Sequence, residues 1–99
     1  MNWLEWYRIV ADRDVDDIPR IALVANVSDD AFWILDARAE DGGSTIYTIH
    51  DAGHSLAEAT ALFERQVEDA TTLDAVGCIP VDHVQFDATQ LKLMGPPIT

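Results

Sequence analysis

The chain has 99 residues, of which 48% are hydrophobic, and a formal net charge of −12. That length supports one compact domain with one core, and the apolar content separates it from disordered acidic tails. A negative field of this size repels nucleic acid and anionic membrane and attracts basic protein surfaces.

The acids run the length of the chain. Residues 1–40 carry net −5, residues 41–70 net −5 and residues 71–99 net −2, and Lys92 is the only lysine. The longest apolar runs, such as IALVA at 21–25, fall far short of the roughly 20 residues a membrane span needs. The start MNWLEWYRIVADRD has neither the basic opening nor the small-residue cleavage site of a signal peptide. Cys78 is the only cysteine, so no internal disulfide forms, and the expected setting is the reducing cytoplasm.

The first segment, NWLEWYRIVA, is expected to be a helix. Asn2 and Glu5 have capping-box spacing, and Trp3, Trp6, Tyr7 and Val10 fall on one helical face. A strand is the alternative, because Trp, Tyr, Ile and Val all favour strands. DRDVDDIPR follows as a charged connector. RIALVANV (20–27), AFWILDARA (31–39) and STIYTIH (44–50) read as strands joined by the turns SDD and EDGG. Such short connections make an antiparallel meander. In the third strand Ile46, Thr48 and His50 share one side, with Thr45, Tyr47 and Ile49 on the other.

SLAEATALFERQVEDA (55–70) is the clearest helix. Ser55 and Glu58 form a capping box, and Leu56, Ala59, Phe63, Val67 and Ala70, widened by Leu62, make the core stripe. Arg65 and Asp69 are spaced to pair. LDAVG (73–77) is read as one more helical turn and CIPVDHVQF (78–86) as extended. ATQLKLM is read as a short helix capped by Asp87 and Gln90, and GPPIT (95–99) as a tail. The expected fold is α+β: a small antiparallel meander of three to four strands with helices packed on one face, in the order α-β-β-β-α-(β)-α.

The candidate chemistry is sparse. His50 and His54 stand four apart, but Gly53 and the Ser55 cap place them on a strand end and a turn rather than on one helix face. A zinc site would also need His83 and Cys78 as further ligands. Asp51 and Gly53 are expected to turn the chain, and no metal or cofactor is expected. Ser55 is occupied as a cap, and Cys78 in VGCIPV has the apolar setting of an inert thiol. The sequence offers no enzyme argument.

The charge therefore carries the functional reading. The expected function is an acidic inhibitor that occludes a basic, nucleic-acid-handling protein, in the manner of immunity proteins, antitoxins, anti-CRISPR proteins or DNA mimics. The acids assigned to contact are Asp12, Asp14, Asp16, Asp17, Asp29, Asp30, Glu40 and Asp41. Trp3, Trp6 and Tyr7 are the aromatic candidates for contact, since such residues anchor interfaces. The alternative is a salt-adapted housekeeping or regulatory domain that self-associates, its charge serving solubility.

Overall fold

The computed structural model describes residues 1–98, with side chains 39–41 excepted. In chain order the elements are β1 (Trp6–Val15), β2 (Pro19–Ala25), β3 (Phe32–Asp41), β4 (Ser44–Asp51), α1 (Leu56–Glu68), β5 (Gly77–Pro80), β6 (Val84–Asp87) and β7 (Gln90–Leu93). A single 3-10 turn, Val81–His83, joins β5 to β6. All strand pairs are antiparallel, in one seven-stranded sheet ordered β5-β4-β3-β2-β1-β7-β6.

This corrects the expected architecture. The protein is a curled half-barrel with one α-helix among the described residues, not a three-to-four-stranded meander carrying several helices. The N-terminal helix is instead a turn followed by β1. Asn2 does reach Glu5 (Nδ2 to Oε2, 3.4 Å), but Leu4 between them has φ 64°, which a right-handed helix does not allow. Residues 73–77 form no helical turn, and the helix expected at ATQLKLM is strand β7. Its supposed cap is a two-residue hairpin turn, Ala88–Thr89, with Asp87 opposite Gln90 and Ala88 at φ 52°.

The middle of the chain follows its sequence pattern. Asp41 pairs with Ser44 across Gly42 and Gly43, whose φ values of 60° and 87° are those a two-residue hairpin turn requires. Ser55 caps α1, its Oγ accepting from the Glu58 N–H at 3.4 Å. On α1 the buried residues are Ala59, Phe63 and Gln66, while Leu56 is exposed.

Two apolar clusters lie on the two faces of the sheet. The first joins Tyr7, Val24, Leu35, Tyr47, Ile79 and Leu91. Its members come from strands at both ends of the sheet order, so the sheet must curl around them. Tyr47 on β4 and Phe86 on β6 meet with ring centroids 6.4 Å apart. The second joins Ile21, Leu23, Ala25, Phe32 and Ile34 to Ala59 and Phe63, beneath the helix. β2 feeds both, which is why IALVA is apolar at every position instead of alternating.

Strand β1 changes face partway along. Ile9 pairs with Val24 and Ala11 with Leu23, so Val10 is an extra residue. Before this bulge Tyr7 and Ile9 pack inside the curl; after it Ala11 packs under the helix and Arg13 lies over the Phe63 ring at 5.3 Å. Only Trp6–Arg8 of β1 pair with β7. From Val10 to Val15 no described strand lies along its outer side. The opposite edge, β5, is closed by the tail: Cys78 and Ile98 exchange both backbone hydrogen bonds, at 2.7 and 2.8 Å. A Cβ on Gly77 would come within 3.0 Å of the Ile98 carbonyl oxygen, so a side chain there would displace this closure.

Tyr47 ties the curl to the start of β2. Its hydroxyl donates to the Pro19 carbonyl at 2.5 Å, and burial pushes its pKa upward. The phenol therefore stays neutral in the fold at pH values where the unfolded chain ionises it near 10. Stability from this group is complete below that pH and falls as pH rises beyond it. Tyr7 acts in the same direction, raised chiefly by burial. In urea titrations Tyr47→Phe is expected to cost roughly 0.5–1.5 kcal/mol at neutral pH and to flatten the alkaline decline. An unchanged alkaline slope would assign the decline elsewhere.

No described helix is long and apolar enough to cross a membrane.

Candidate functional site

The acids assigned to contact fall into two groups. Asp12, Asp14, Asp16 and Asp17 lie on the exposed β1–β2 hairpin. Asp29 and Asp30 occupy the β2–β3 turn at the other end of β2, whose seven residues span roughly 23 Å. The two groups therefore form no single patch. Glu40 and Asp41 belong to the hairpin end by strand register, and their side chains lie outside the described residues.

Several of these carboxylates already have work within the fold. Asp14 accepts from Arg20 Nε at 2.9 Å, and Asp29 from Arg8 Nη2 at 2.9 Å. Asp30 accepts from Asn26 Nδ2 at 2.6 Å, in a loop that the Asn26 side chain organises by accepting two backbone N–H groups. Asp12, Asp16 and Asp17 have no cation within ion-pair distance among the described residues.

The aromatic candidates separate. Tyr7 is buried, edge-on to Trp33 at 5.5 Å. Trp6 carries Lys92 Nζ over its ring at 4.6 Å. Trp3 is exposed, beside exposed Leu4, whose N–H donates to the Leu93 carbonyl next to exposed Met94.

The histidines likewise go separate ways. His54 Nδ1–H donates to the Asp30 carbonyl at 2.8 Å, and His50 Nδ1–H to the Asp74 carbonyl at 3.1 Å. No group of three or more His, Cys, Asp or Glu among the described residues is placed to hold a metal. Asp51 accepts from the Gly53 N–H at 2.8 Å, so the segment IHDAGHS is a turn and a helix cap.

The structure also brings His50 together with two residues that were not among the sequence candidates, Asp36 and Gln66. Asp36, Gln66 and His50 are the buried polar residues, 1–3% exposed, and they meet where the end of α1 crosses β3 and β4. Gln66 Nε2 donates to Asp36 Oδ2 at 3.0 Å and to the Ala70 carbonyl at 3.1 Å. Arg20 and Arg38 each approach Asp36 Oδ1 at 3.4 Å. Arg38 Nη2 also donates to the Gln66 and Val67 carbonyls, at 3.1 and 2.7 Å, and so closes the helix C-terminus. The Asp36 carboxylate thus lies between two guanidinium groups and a carboxamide.

His50 Nε2 lies 2.8 Å from Thr48 Oγ1, which is itself 3.2 Å from the Asp36 carbonyl. The hydroxyl has one hydrogen. It donates either to His50 Nε2 or to the Asp36 carbonyl.

These residues line a pocket of about 450 Å³ whose outer wall includes Leu73 and Ala75. The loop after the helix is held by Asp69, whose carboxylate accepts from the Thr71 N–H and hydroxyl at 3.0 and 2.7 Å. Those bonds lower the Asp69 pKa. Asp69 is used in this way, and no Asp69–Arg65 pair forms among the described residues.

One buried atom of this network is unsatisfied. Gln66 Oε1 is buried with no hydrogen-bond partner among the described residues. Rotating the amide would not help, since it would aim the oxygen at the two acceptors that Nε2 now serves. A buried acceptor left this way costs roughly 1–3 kcal/mol.

No family model, curated protein or solved structure matches the chain at a significant level.

Proposed function

We propose that the protein is an acidic inhibitor that binds a basic, nucleic-acid-handling protein and occludes the surface that would hold phosphates. The observation that carries this reading is the β1–β2 hairpin. It exposes Asp12, Asp14, Asp16 and Asp17 together, and only Asp14 has an ion pair among the described residues. The net charge of −12 adds a long-range field that speeds encounter with a cationic surface. Binding proceeds by pairing of carboxylates with arginine and lysine of the target, and the protein contributes no catalytic step. A cytoplasmic site of action goes with this reading, since Cys78 is a lone thiol.

The test is a binding titration of a panel of nucleases and other basic nucleic-acid enzymes at rising sodium chloride. One member is expected to bind tightly at low salt and to weaken steeply as salt rises. The triple variant Asp12→Asn, Asp16→Asn, Asp17→Asn, which spares the Asp14–Arg20 pair, should lower its association rate roughly tenfold. Equal binding by the variant would remove the hairpin from the contact, and no binder in the panel would remove the occlusion reading.

A second reading is favoured by the exposed Trp3, Leu4 and Met94. In it the domain is salt-adapted and self-associates through this apolar end, its charge serving solubility. Sedimentation of the folded protein at low and molar potassium chloride separates the two readings. A dimer that Trp3→Ser disrupts supports self-association, and a monomer at every salt concentration excludes it.

A further inference from the structure

We propose that Arg20 determines which basic partner the acidic hairpin accepts: it is an internal competitor for Asp14, and a target arginine displaces it where a lysine does not. This rests on the occlusion reading above and names the cation that the hairpin prefers.

Arg20 is shared between two carboxylates. Its Nε donates to Asp14 Oδ2 at 2.9 Å, and its Nη1 reaches Asp36 Oδ1 at 3.4 Å. The two acids differ in access. The Asp14 side chain is 70% exposed and that of Asp36 is 2% exposed. A partner therefore reaches Asp14 and not Asp36.

A cation brought to Asp14 meets the Arg20 guanidinium at the same carboxylate and is repelled by it. Sharing is opposed, while exchange leaves nothing stranded. Arg20 released from Asp14 still has Asp36 beside it, and its own side chain is partly open to water. Asp36 keeps Arg38 at 3.4 Å and Gln66 at 3.0 Å, so no buried charge loses all its partners.

The incoming group decides the exchange. Arg20 holds Asp14 by the single N–H of Nε. A target guanidinium can take both carboxylate oxygens at once and so replaces one bond by two. An ammonium is a point donor and offers no such advantage over Arg20. Asp12, Asp16 and Asp17 have no competing cation within ion-pair distance among the described residues, and they take either group.

The experiment uses the full chain, labelled with nitrogen-15, titrated at low salt with hexaarginine and with hexalysine. Affinity is read from the amide resonances of residues 12–17, and displacement from the Arg20 Nε–H resonance. In the native chain hexaarginine is expected to bind more tightly and to move the Arg20 Nε resonance, and hexalysine to leave it in place. Arg20→Gln, which leaves Asp36 with Arg38 and Gln66, should cut the preference for hexaarginine roughly threefold, the scale of one exposed ion pair. The lost positive charge strengthens both peptides alike, so the ratio separates the competitor from the overall field. In an Asp14→Asn background, Arg20→Gln should leave the ratio unchanged. The proposal is overturned if Arg20→Gln keeps the native ratio, if it still alters the ratio in the Asp14→Asn background, or if the Arg20 Nε resonance stays in place at hexaarginine saturation. If neither peptide moves residues 12–17, the hairpin is not the contact, and the occlusion reading falls together with the proposal.

Discussion

Replacing Asp36 by leucine is expected to destabilise the protein by about 3 kcal/mol, and replacing Gln66 as well is expected to restore part of the loss. The carboxylate is the acceptor for Gln66 Nε2 at 3.0 Å and lies 3.4 Å from both Arg20 and Arg38. Without it, a buried amide hydrogen loses its acceptor in an apolar setting. The arginines lose less, because their side chains are 26% and 31% exposed and can turn to water. The expected cost therefore stays near the lower end of what removing one partner of a buried pair produces. In a domain this small it lowers the melting temperature by roughly 12–24 °C. The double variant Asp36→Leu, Gln66→Leu removes donor and acceptor together, and the two changes should be strongly non-additive. Thermal melts of the two single variants and the double variant measure this. Simple additivity would mean that Gln66 and Asp36 do not act as a unit.

Phe63→Ala is expected to cost about 3–5 kcal/mol and to loosen the helix before the sheet. Phe63 is fully buried against the outer face of the sheet, with Arg13 over its ring. α1 is 13 residues long, at the margin of what forms alone in water, so its order depends on this contact. The cluster inside the curl contains no helical residue. Amide exchange in the variant should therefore rise most along residues 56–68, with β4 and β7 protected longest. A uniform rise over helix and sheet would show that the two clusters unfold as one.

Much of the fold was legible between residues 20 and 68, and less outside it. β2, β3, β4 and α1 announce themselves by apolar runs, a double-glycine turn and a serine cap. β1 does not, because the extra residue Val10 breaks its alternation. A strand that buries Tyr7 and Ile9 on one face and Ala11 on the other produces the mixed spacing of a helix. β6 and β7 are hidden by a turn at Ala88–Thr89 that lacks glycine or asparagine. The polar pocket was missed because its partners are distant: Asp36 and Gln66 are 30 residues apart. Two signals were present. Asp36 continues the buried face of Phe32 and Ile34 at two-residue spacing, and Gln66 follows Phe63 by three on the stripe of α1. A polar residue on each of two facing apolar stripes is the mark of a buried pair.

The outer side of β1 between Val10 and Val15 has a consequence for solution behaviour. A bare strand edge invites the same edge of a second copy, and from there a growing stack. Here that edge carries Asp12 and Asp14, with Asp16 and Asp17 just beyond, and Asp14 at φ 55° bends the backbone out of a straight ladder. Two such edges brought together would set aspartate against aspartate. The hairpin that we propose as a lure for cations is, toward its own kind, a guard against fibres, and neutralising it by acid should start aggregation there.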